Sequence, residues 1–228
     1  HNSNITDNIK IRNTIGIYLE LSSGSNSLLI NNTLNNNKNY SLYINAGSGI
    51  SFINNQIQNT TKSIYDLSGG PNNLVYNNSN GSIRWIGNTN NLTIDGNFTF
   101  PGNINIGNNF AFVNTSAFTS NINKSANITL YNLPTNFGNP AVFRDGSACS
   151  AGQCYNFTSL NAGNVTFNVS SFSNYSIAES SNLTVCATLS VANTTYNLLN
   201  NISTTGTCFT ITARNITLEG NDYTVTGN

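Results

Sequence analysis

A repeat with a spacing of 23 residues runs through the first third of the sequence and sets narrow limits on the fold. Its copies read LINN, FINN and VYNN, at residues 29–32, 52–55 and 75–78. A second series lies between them and reads SLYI, SIYD and SIRW, at residues 41–44, 63–66 and 82–85. A period of this length, carried by short strand-like segments and turn residues, is typical of a solenoid, in which each turn buries its apolar side against the next turn.

The asparagine pairs predict which side chains lie inside the solenoid. Side chains alternate between inside and outside along a strand. If the apolar residue before each pair points inward, Asn31 and Asn77 point outward, and Asn32, Asn55 and Asn78 lie at a turn with their amides inside. Stacked amides bond to one another along the axis, and asparagine tolerates the left-handed backbone of a tight corner. We therefore expect the first two residues to be accessible to glycosylation and the other three to be buried.

The repeat divides the chain into three regions. Residues 1–103 carry it and are predicted to form a parallel β-helix. Residues 104–180 lose the period, and their strand-like runs between Gly, Pro and Asn turns predict a small antiparallel, Ig-like β-sandwich. These runs lie at residues 110–113, 127–131, 140–144, 164–169 and 175–178. Residues 181–228 resume the repeat and are predicted to start a β-helix that continues into residue 1 of the next subunit or repeat.

The two ends of the sequence fit each other as successive turns. An open solenoid end exposes unpaired strands and apolar rungs, which natural proteins cover or pair. Contact between unlike ends does not close on itself and builds a filament. Ile5 and Val225 are the residues predicted to meet there, and a missing capping segment is the alternative. The absence of an initiator methionine predicts a processed form or a segment of a longer protein.

Charged residues make up only 7% of the chain and the formal net charge is zero, so charge does not indicate nucleic acid or an anionic membrane as a partner. Attached sugar would supply the solubility that such a surface lacks. Asn-x-Ser/Thr sequons occur at 19 positions, against roughly 11 expected from composition alone, so some arise by chance and we expect many to be glycosylated. They are Asn4, Asn31, Asn39, Asn59, Asn77, Asn80, Asn91, Asn97, Asn114, Asn123, Asn127, Asn156, Asn164, Asn168, Asn174, Asn182, Asn193, Asn201 and Asn215.

The four cysteines allow three disulfide pairings. The most local pairing joins Cys149 to Cys154 and Cys186 to Cys208, and we prefer it. A zinc site is the alternative, but Cys-x-x-Cys pairs are lacking and the single histidine, His1, is terminal. Disulfides and sequons together predict an extracellular, cell-surface location. The sequence contains no run of 18 apolar residues, so no membrane span is predicted in this segment.

Several segments resemble known proteins. Residues 16–19 and 30–32 resemble the rungs of right-handed parallel β-helix repeat proteins. Residues 164–178 resemble the strand pair that closes small β-sandwich modules in archaeal surface proteins, and residues 184–190, with 208–218, resemble the opening of a β-helix in such proteins. The resemblance implies an all-β fold, with a right-handed parallel β-helix and an inserted small antiparallel β-sandwich, and it implies an extracellular, glycosylated surface protein.

Many β-helix proteins cleave polysaccharides, and such enzymes need particular groups of side chains. A lyase of that kind needs clustered carboxylates for Ca²⁺ and a basic proton acceptor, and a glycosidase needs paired carboxylates. Asp66 and Arg84 are expected to be neighbours on successive rungs, where a surface ion pair is the simplest interpretation. No nucleophile elbow, phosphate loop or metal-binding helix is present. We therefore predict no catalytic residue, no cofactor and no metal ligand.

The favoured hypothesis is a structural protein. It is a subunit, or one unit of a tandem repeat, in a heavily N-glycosylated extracellular filament or surface fibre that assembles head to tail with copies of itself. A carbohydrate-binding or adhesive module is the second hypothesis, and a polysaccharide lyase or hydrolase is a distant third. Trp85 and the solenoid tyrosines are expected to be core or stacked surface residues, with a sugar-binding platform as the alternative.

Overall fold

The computed structural model describes residues 3–7, 12–21, 26–67, 72–86, 93–94, 99, 101–118 and 122–227. It is an all-β structure, as predicted. Within the described residues, the helical content is one short 3₁₀ turn, Thr115–Ala117. Parallel solenoid turns occupy both ends of the chain, and antiparallel sheets lie between them.

The first solenoid is three-sided. Its strands are β1 (Asn4–Thr6), β2 (Ile15–Glu20), β3 (Leu28–Ile30), β4 (Thr33–Asn35), β5 (Tyr40–Ala46), β6 (Ser51–Ile53), β7 (Gln56–Gln58), β8 (Lys62–Asp66) and β9 (Asn73–Asn78). Parallel pairing gives sheet 1 (β1, β3, β6 and β9), sheet 2 (β4 and β7) and sheet 3 (β2, β5 and β8). Each complete turn contributes one strand to each sheet, which confirms the repeat as the structural unit.

In two of the three repeat copies, the inward-facing residue of sheet 1 lies one position earlier than the sequence predicted, whereas Tyr76, the third equivalent, is buried as predicted. Leu29 and Phe52 are fully buried and in register with each other, whereas Ile30 and Ile53 are half-buried. The expectation that these two isoleucines point inward was wrong. The asparagine after each of them has a positive φ, 55° at Asn31 for example, and this left-handed corner interrupts the alternation on which the prediction relied.

The second series of the repeat ends earlier than predicted. Residues 82–85 belong to strand β10 (Gly81–Trp85), which pairs antiparallel with β9 and not with sheet 3. The assignment of SIRW as the next rung was therefore wrong. Its spacing from SIYD is 19 residues (82 − 63) instead of 22 (63 − 41). A tight hairpin at residues 78–81 reverses the chain, and a Cβ on Gly81 would lie 2.1 Å from the carbonyl oxygen of Thr129, so only glycine fits there.

The antiparallel region is a β-sandwich. β11 (Thr93–Ile94) extends sheet 3 of the solenoid, and the further strands of the sandwich are β12 (Ile104–Gly107), β13 (Phe110–Val113), β14 (Ala126–Leu130), β15 (Pro140–Arg144), β16 (Ser147–Ala148), β17 (Cys154–Asn156), β18 (Val165–Val169) and β19 (Asn174–Glu179). One layer is β10-β14-β18-β17 and the other is β12-β13-β19-β15-β16, while β11 pairs with β8. The five strand-like runs predicted from sequence are confirmed as β13, β14, β15, β18 and β19.

The two layers meet through apolar side chains of alternate residues. Ile128 and Phe167 of one layer and Tyr175 and Ile177 of the other are fully buried, and the Phe167 and Tyr175 rings lie 6.2 Å apart. The Tyr175 hydroxyl donates to the carbonyl oxygen of Ser171 at 2.6 Å. This arrangement, in which a tyrosine at the start of a strand bonds back to the backbone a few residues upstream, is called a tyrosine corner, and the Ig-like assignment stays a prediction.

The repeat resumes after the sandwich. The strands are β20 (Asn182–Leu183), β21 (Ala187–Leu189), β22 (Thr195–Leu198), β23 (Ile202–Thr204), β24 (Phe209–Ile211), β25 (Thr217–Glu219) and β26 (Val225–Gly227). They form three parallel sheets, β20-β22-β25, β21-β24 and β23-β26. The predicted return of the solenoid is confirmed. The domain boundaries at residues 103 and 180 and the handedness stay predictions.

The apolar residues form two separate cores. The first solenoid and the sandwich share one continuous core, because β9 and β10 join them in a single eight-stranded sheet. The second solenoid has its own much smaller core of Leu183, Leu189, Tyr196, Leu198 and Ile202. A core of this size gives limited stability by itself.

Candidate assembly ends and glycosylation sites

Two asparagine amides stack inside the first solenoid. The Asn32 backbone N–H and side-chain Nδ2 both donate to Oδ1 of Asn55, at 3.0 and 2.9 Å, and Nδ2 of Asn55 donates to the carbonyl oxygen of Leu29 at 2.7 Å. Both side chains are buried, which confirms the predicted ladder for these two rungs. Asn78 departs from it, since its Nδ2 donates to the Ile106 carbonyl oxygen of the sandwich at 2.8 Å.

A second ladder runs along the outside corners. Asn31 and Asn54 have left-handed backbones, and so do two sequon residues of the second solenoid, Asn193 and Asn215. Asn215 Nδ2 donates to Asn193 Oδ1 at 2.8 Å, and Asn54 Nδ2 donates to Asn77 Oδ1 at 2.6 Å. The left-handed corner expected at Asn32 and its equivalents therefore lies one residue earlier, where asparagine adopts it at low cost.

The sequon asparagines lie at the surface. Asn91 and Asn97 are outside the described residues. Half-buried side chains are those of Asn80, Asn114, Asn127 and Asn168. Exposed ones are those of Asn4, Asn31, Asn39, Asn59, Asn77, Asn123, Asn156, Asn164, Asn174, Asn182, Asn193, Asn201 and Asn215. The asparagines that are buried in the described part of the chain, Asn32, Asn37, Asn55 and Asn72, all lie outside sequons. The fold thus separates asparagines that bond inside it from those a glycan can reach.

The last described turn of the second solenoid presents core positions to solvent. Ile211, Leu218 and Val225 come from its three different sheets and are 59%, 40% and 41% exposed. In the strand register they are the partners of Leu189, Tyr196 and Ile202, which are all buried. In-register partners in a parallel pair point the same way. All three side chains therefore point into the solenoid interior, and no further described turn covers them.

The opposite end has a matching unpaired edge. Ile5 of β1 is in register with the buried Leu29 and is itself half-buried, and within the described residues β1 pairs only with β3. The sequence predicted Ile5 and Val225 as assembly residues, and both lie at core positions of an outermost described turn. Whether they meet in an assembly stays a prediction. The three-residue set at the second end was missed, although aligning residues 187–204 with 209–227 would have found it.

The disulfides form the pairing preferred from the sequence. Cys149 bonds to Cys154 and Cys186 bonds to Cys208, and the described chain has no free cysteine. The first bond closes a loop beside the edge strand β17. The second joins two adjacent turns of the second solenoid and packs against its small core. It therefore supports the part of the chain with the fewest buried side chains.

Asp66 and Arg84 do not form successive rungs, because β8 and β10 lie in different sheets. Buried Asp66 accepts from Asn72 Nδ2 at 2.8 Å, and Arg84 donates to Asn73 Oδ1 at 3.2 Å. The predicted neighbour relationship was wrong. Among the described residues, no three His, Cys, Asp or Glu side chains cluster as metal ligands would, and no helix is both long and apolar enough to span a bilayer.

The aromatic residues fall into two groups. Trp85 is buried, packs on Phe172 at 5.1 Å, and donates its indole N–H to the Ile122 carbonyl oxygen at 3.0 Å, so it is a core residue as expected. Four tyrosines of sheet 3 instead form a surface cluster, here called the tyrosine strip, consisting of Tyr18, Tyr40, Tyr43 and Tyr65.

Comparison with protein-family models, with curated proteins and with solved structures finds no match to this chain.

Proposed function

We propose that this chain is a structural unit of a glycosylated extracellular filament or surface fibre. The units are joined head to tail by pairing between the open turns at the two ends of the solenoid. The joined units are separate subunits or tandem repeats of one longer chain. Two disulfides, which persist in oxidising compartments, support the extracellular location. The resemblance to archaeal surface proteins of this kind supports the same role.

One observation carries the proposal. The last described turn exposes an apolar core residue from each of its three sheets, Ile211, Leu218 and Val225, on strands whose outer edges have no partner strand among the described residues. Such an edge recruits another strand unless it is covered. The turn at the other end offers three-residue strand β1 with Ile5 at a core position. Unlike ends that pair in this way build an open filament instead of a closed ring.

The glycan coat is the second part of the proposal. No described sequon asparagine is buried, and the chain has only 16 charged residues with no net charge. A filament with so few charges needs another means of staying dispersed. Sugars at the exposed corners would supply it and would leave the axial ends free for pairing.

Single substitutions that introduce a negative charge at one end of the solenoid or the other test the head-to-tail assembly. Val225→Asp and Ile5→Asp each place a carboxylate where the proposed contact would bury it, and removing an unpaired charge from water is strongly unfavourable. Each variant should remain folded and fail to form fibres in electron micrographs. An equimolar mixture should form dimers, seen by analytical ultracentrifugation, because each variant retains the end that the other has lost.

Val191→Asp is the matched control, since Val191 is also 41% exposed but lies in the loop between β21 and β22, on the inner turn of the second solenoid. This variant should form fibres like the unmodified protein. Normal fibres from Val225→Asp would show that the solenoid ends are not the contact. Dimers from Val225→Asp alone, formed through the Ile5 end, would contradict a head-to-tail arrangement.

A further inference from the structure

The tyrosine strip covers the outer surface of sheet 3. Tyr18 and Tyr43 stack with ring centroids 5.3 Å apart, Tyr40 and Tyr65 stack at 5.0 Å, and Tyr40 meets Tyr43 edge to face at 5.2 Å. Register places Tyr18, Tyr43 and Tyr65 directly beside one another on three successive turns. The result is a continuous aromatic surface that follows the solenoid axis. The sequence signal was the tyrosine at the third position of GIYL, SLYI and SIYD.

Polar groups border the strip on both sides. Glu20 accepts from the Tyr18 hydroxyl and from Asn45 Nδ2, each at 3.3 Å, and the Lys62 ammonium lies 4.9 Å from the Tyr65 ring centroid. Glu20 and Lys62 carry opposite charges at the two ends of the strip. Partly exposed tyrosine side chains beside single hydrogen-bonding groups are suited to sugars, whose C–H groups contact aromatic rings and whose hydroxyls both donate and accept.

The strip is also free of glycan attachment points. No sequon asparagine occurs within β2, β5 or β8; Asn39 and Asn59 lie at the corner before the sheet, and the sequon of Asn91 ends at Thr93 of β11, the register partner of Tyr65. The glycan coat proposed for the corners would therefore border this face without covering it. At the free edge, Tyr18 is 49% exposed.

We infer that the tyrosine strip is a binding site for a neutral polysaccharide, a chain of uncharged pyranose sugars aligned with the solenoid axis. The rings repeat at the spacing of the strands, about 4.8 Å, which is close to the length of one sugar in an extended chain. Opposite single charges at the two ends of the strip match an uncharged ligand better than a polyanion. Tyr18 lies on β2, the outermost described strand of sheet 3, whereas Tyr40, Tyr43 and Tyr65 lie on inner strands, so binding at the inner rings is tested separately from head-to-tail assembly.

The alternative is that the stacked rings only support the sheet, as cross-strand aromatic pairs do. The two roles make different demands on Tyr18. It belongs to β2, which pairs with β5 alone among the described strands, and half of its side chain is uncovered. A purely supporting ring there adds little stability, whereas a binding ring contributes directly to affinity.

The test uses the full, glycosylated chain with affinity electrophoresis in gels that contain a neutral glucan, a neutral mannan or acidic alginate, and sedimentation with insoluble cellulose and chitin. At least one neutral polymer should retard or sediment the protein, and alginate should not. Tyr18→Ala and Tyr65→Ala should each weaken binding about 2- to 10-fold. Tyr18→Trp, which keeps an aromatic face, should retain it. Melting curves check that each variant is folded.

Tyr155→Ala is the matched control, because Tyr155 is a 66% exposed tyrosine on the edge strand of the sandwich. It should bind like the unmodified protein. Failure of every neutral polymer to bind would overturn the proposal, as would equal losses in Tyr155→Ala and Tyr18→Ala. If N-glycans released from this protein competed more strongly than the polymers, the strip would hold the glycans of a neighbouring copy, and the free polysaccharide proposed here would be wrong.

Discussion

Asparagine plays three physically different roles in this chain. Asn32 and Asn55 stack inside the solenoid, Asn31 and Asn54 form left-handed corners, and exposed residues such as Asn174 lie in sequons. The side chain suits all three because its amide both donates and accepts, and because it bonds locally to the backbone. Burial marks the stacked residues and a positive φ marks the corners, and Asn31 is both a corner and a sequon residue.

The buried ladder predicts a large effect from a small change. In Asn55→Asp, the carboxylate can no longer donate to the Leu29 carbonyl oxygen and faces it instead. We expect the free energy of unfolding to fall by about 1–3 kcal/mol, measured by urea denaturation at neutral pH. Asn36→Asp is the control. Asn36 is an exposed left-handed corner, and its Oδ1 accepts a hydrogen bond from Asn59 Nδ2, which a carboxylate oxygen can also accept. Equal stability of the two variants would contradict a buried ladder.

The tyrosine corner predicts a loss of stability in alkali. Burial raises the pKa of the Tyr175 phenol above its ordinary 10.0, with the Arg144 guanidinium opposing this and the Asp145 carboxylate adding to it. A raised pKa in the folded state favours the neutral phenol, so its contribution is intact below pH 10.0 and is lost as pH rises through the folded-state pKa.

Tyr175→Phe should therefore behave differently from the unmodified protein at two pH values. Near neutral pH it should unfold about 1 kcal/mol more easily, because the hydrogen bond to Ser171 is lost. Above about pH 10 its melting temperature should fall less steeply with pH, since the titrating group is gone. Tyr155→Phe, at an exposed site, should change neither quantity. A parallel fall with pH in both variants would show that Tyr175 does not cause the alkaline loss.

At the level of strands and turns, local chemistry at the corners decides how far the solenoid extends. Asn31 and Asn54 bend the chain onward to the next side of the turn. At residues 78–81 the chain instead reverses into β10, and the parallel series becomes an antiparallel sheet. The same eight-stranded sheet holds both parts, which explains why they share one core.

The two disulfides should differ in what they stabilise. Their sequence separations are 22 residues for Cys186–Cys208 and 5 for Cys149–Cys154, which correspond to about 3 and 2 kcal/mol of loop entropy. Replacing both Cys186 and Cys208 by serine should open the second solenoid without unfolding the sandwich. Hydrogen exchange should accelerate in residues 182–227 and remain slow in β14 and β18.

The matching double serine variant of Cys149 and Cys154 is the comparison. Exchange should increase around β17 and stay unchanged in the second solenoid, because this bond closes a short loop of the sandwich. Uniform acceleration across the chain in either variant would show that the two cores unfold together.

Across the molecule as a whole, the surface carries many asparagines and few charged residues. The chain has eight basic and eight acidic residues, and one salt bridge, Arg144 to Asp145 at 3.8 Å, occurs within the described part. Exposed sequons are spread over both solenoids and the sandwich. Sheet 3 is the exception, with an aromatic face. A filament built from such units would have glycan-rich corners and a short aromatic strip on each first solenoid.

Glycan crowding gives a test of the coat. Asn127 and Asn168 are both sequon residues, half-buried, and directly opposite on neighbouring strands, with Asn168 Nδ2 donating to Asn127 Oδ1 at 3.3 Å. Opposite side chains in an antiparallel pair have Cβ atoms about 5 Å apart, which leaves no room for two glycans. Glycopeptide mass spectrometry should find sugar on at most one of the two in any molecule. Exposed Asn123 and Asn174 should carry sugar independently of each other, and full occupancy of both Asn127 and Asn168 would contradict the strand register.

Much of the fold follows from the sequence because the repeat is local and redundant. The spacing of LINN and FINN alone predicts strands stacked in parallel, since each turn needs an identical neighbour to bury its apolar side. The strand runs of the sandwich, the return of the solenoid and the local disulfide pairing were predictable for the same reason, as each depends on short segments whose pattern is complete in itself.

Other features were decided only by the tertiary structure. The inward residue of sheet 1 is Leu29 and not Ile30, because a left-handed corner shifts the alternation by one position. Residues 82–85 do not continue sheet 3, because their strand, β10, pairs with β14 of the sandwich instead. Alignment of the last two turns identifies Ile211, Leu218 and Val225 as core positions, but only the structure shows that all three are exposed. A periodic sequence pattern specifies how one turn pairs with the next. The packing of segments distant in sequence determines where the parallel stacking ends and which core positions stay exposed.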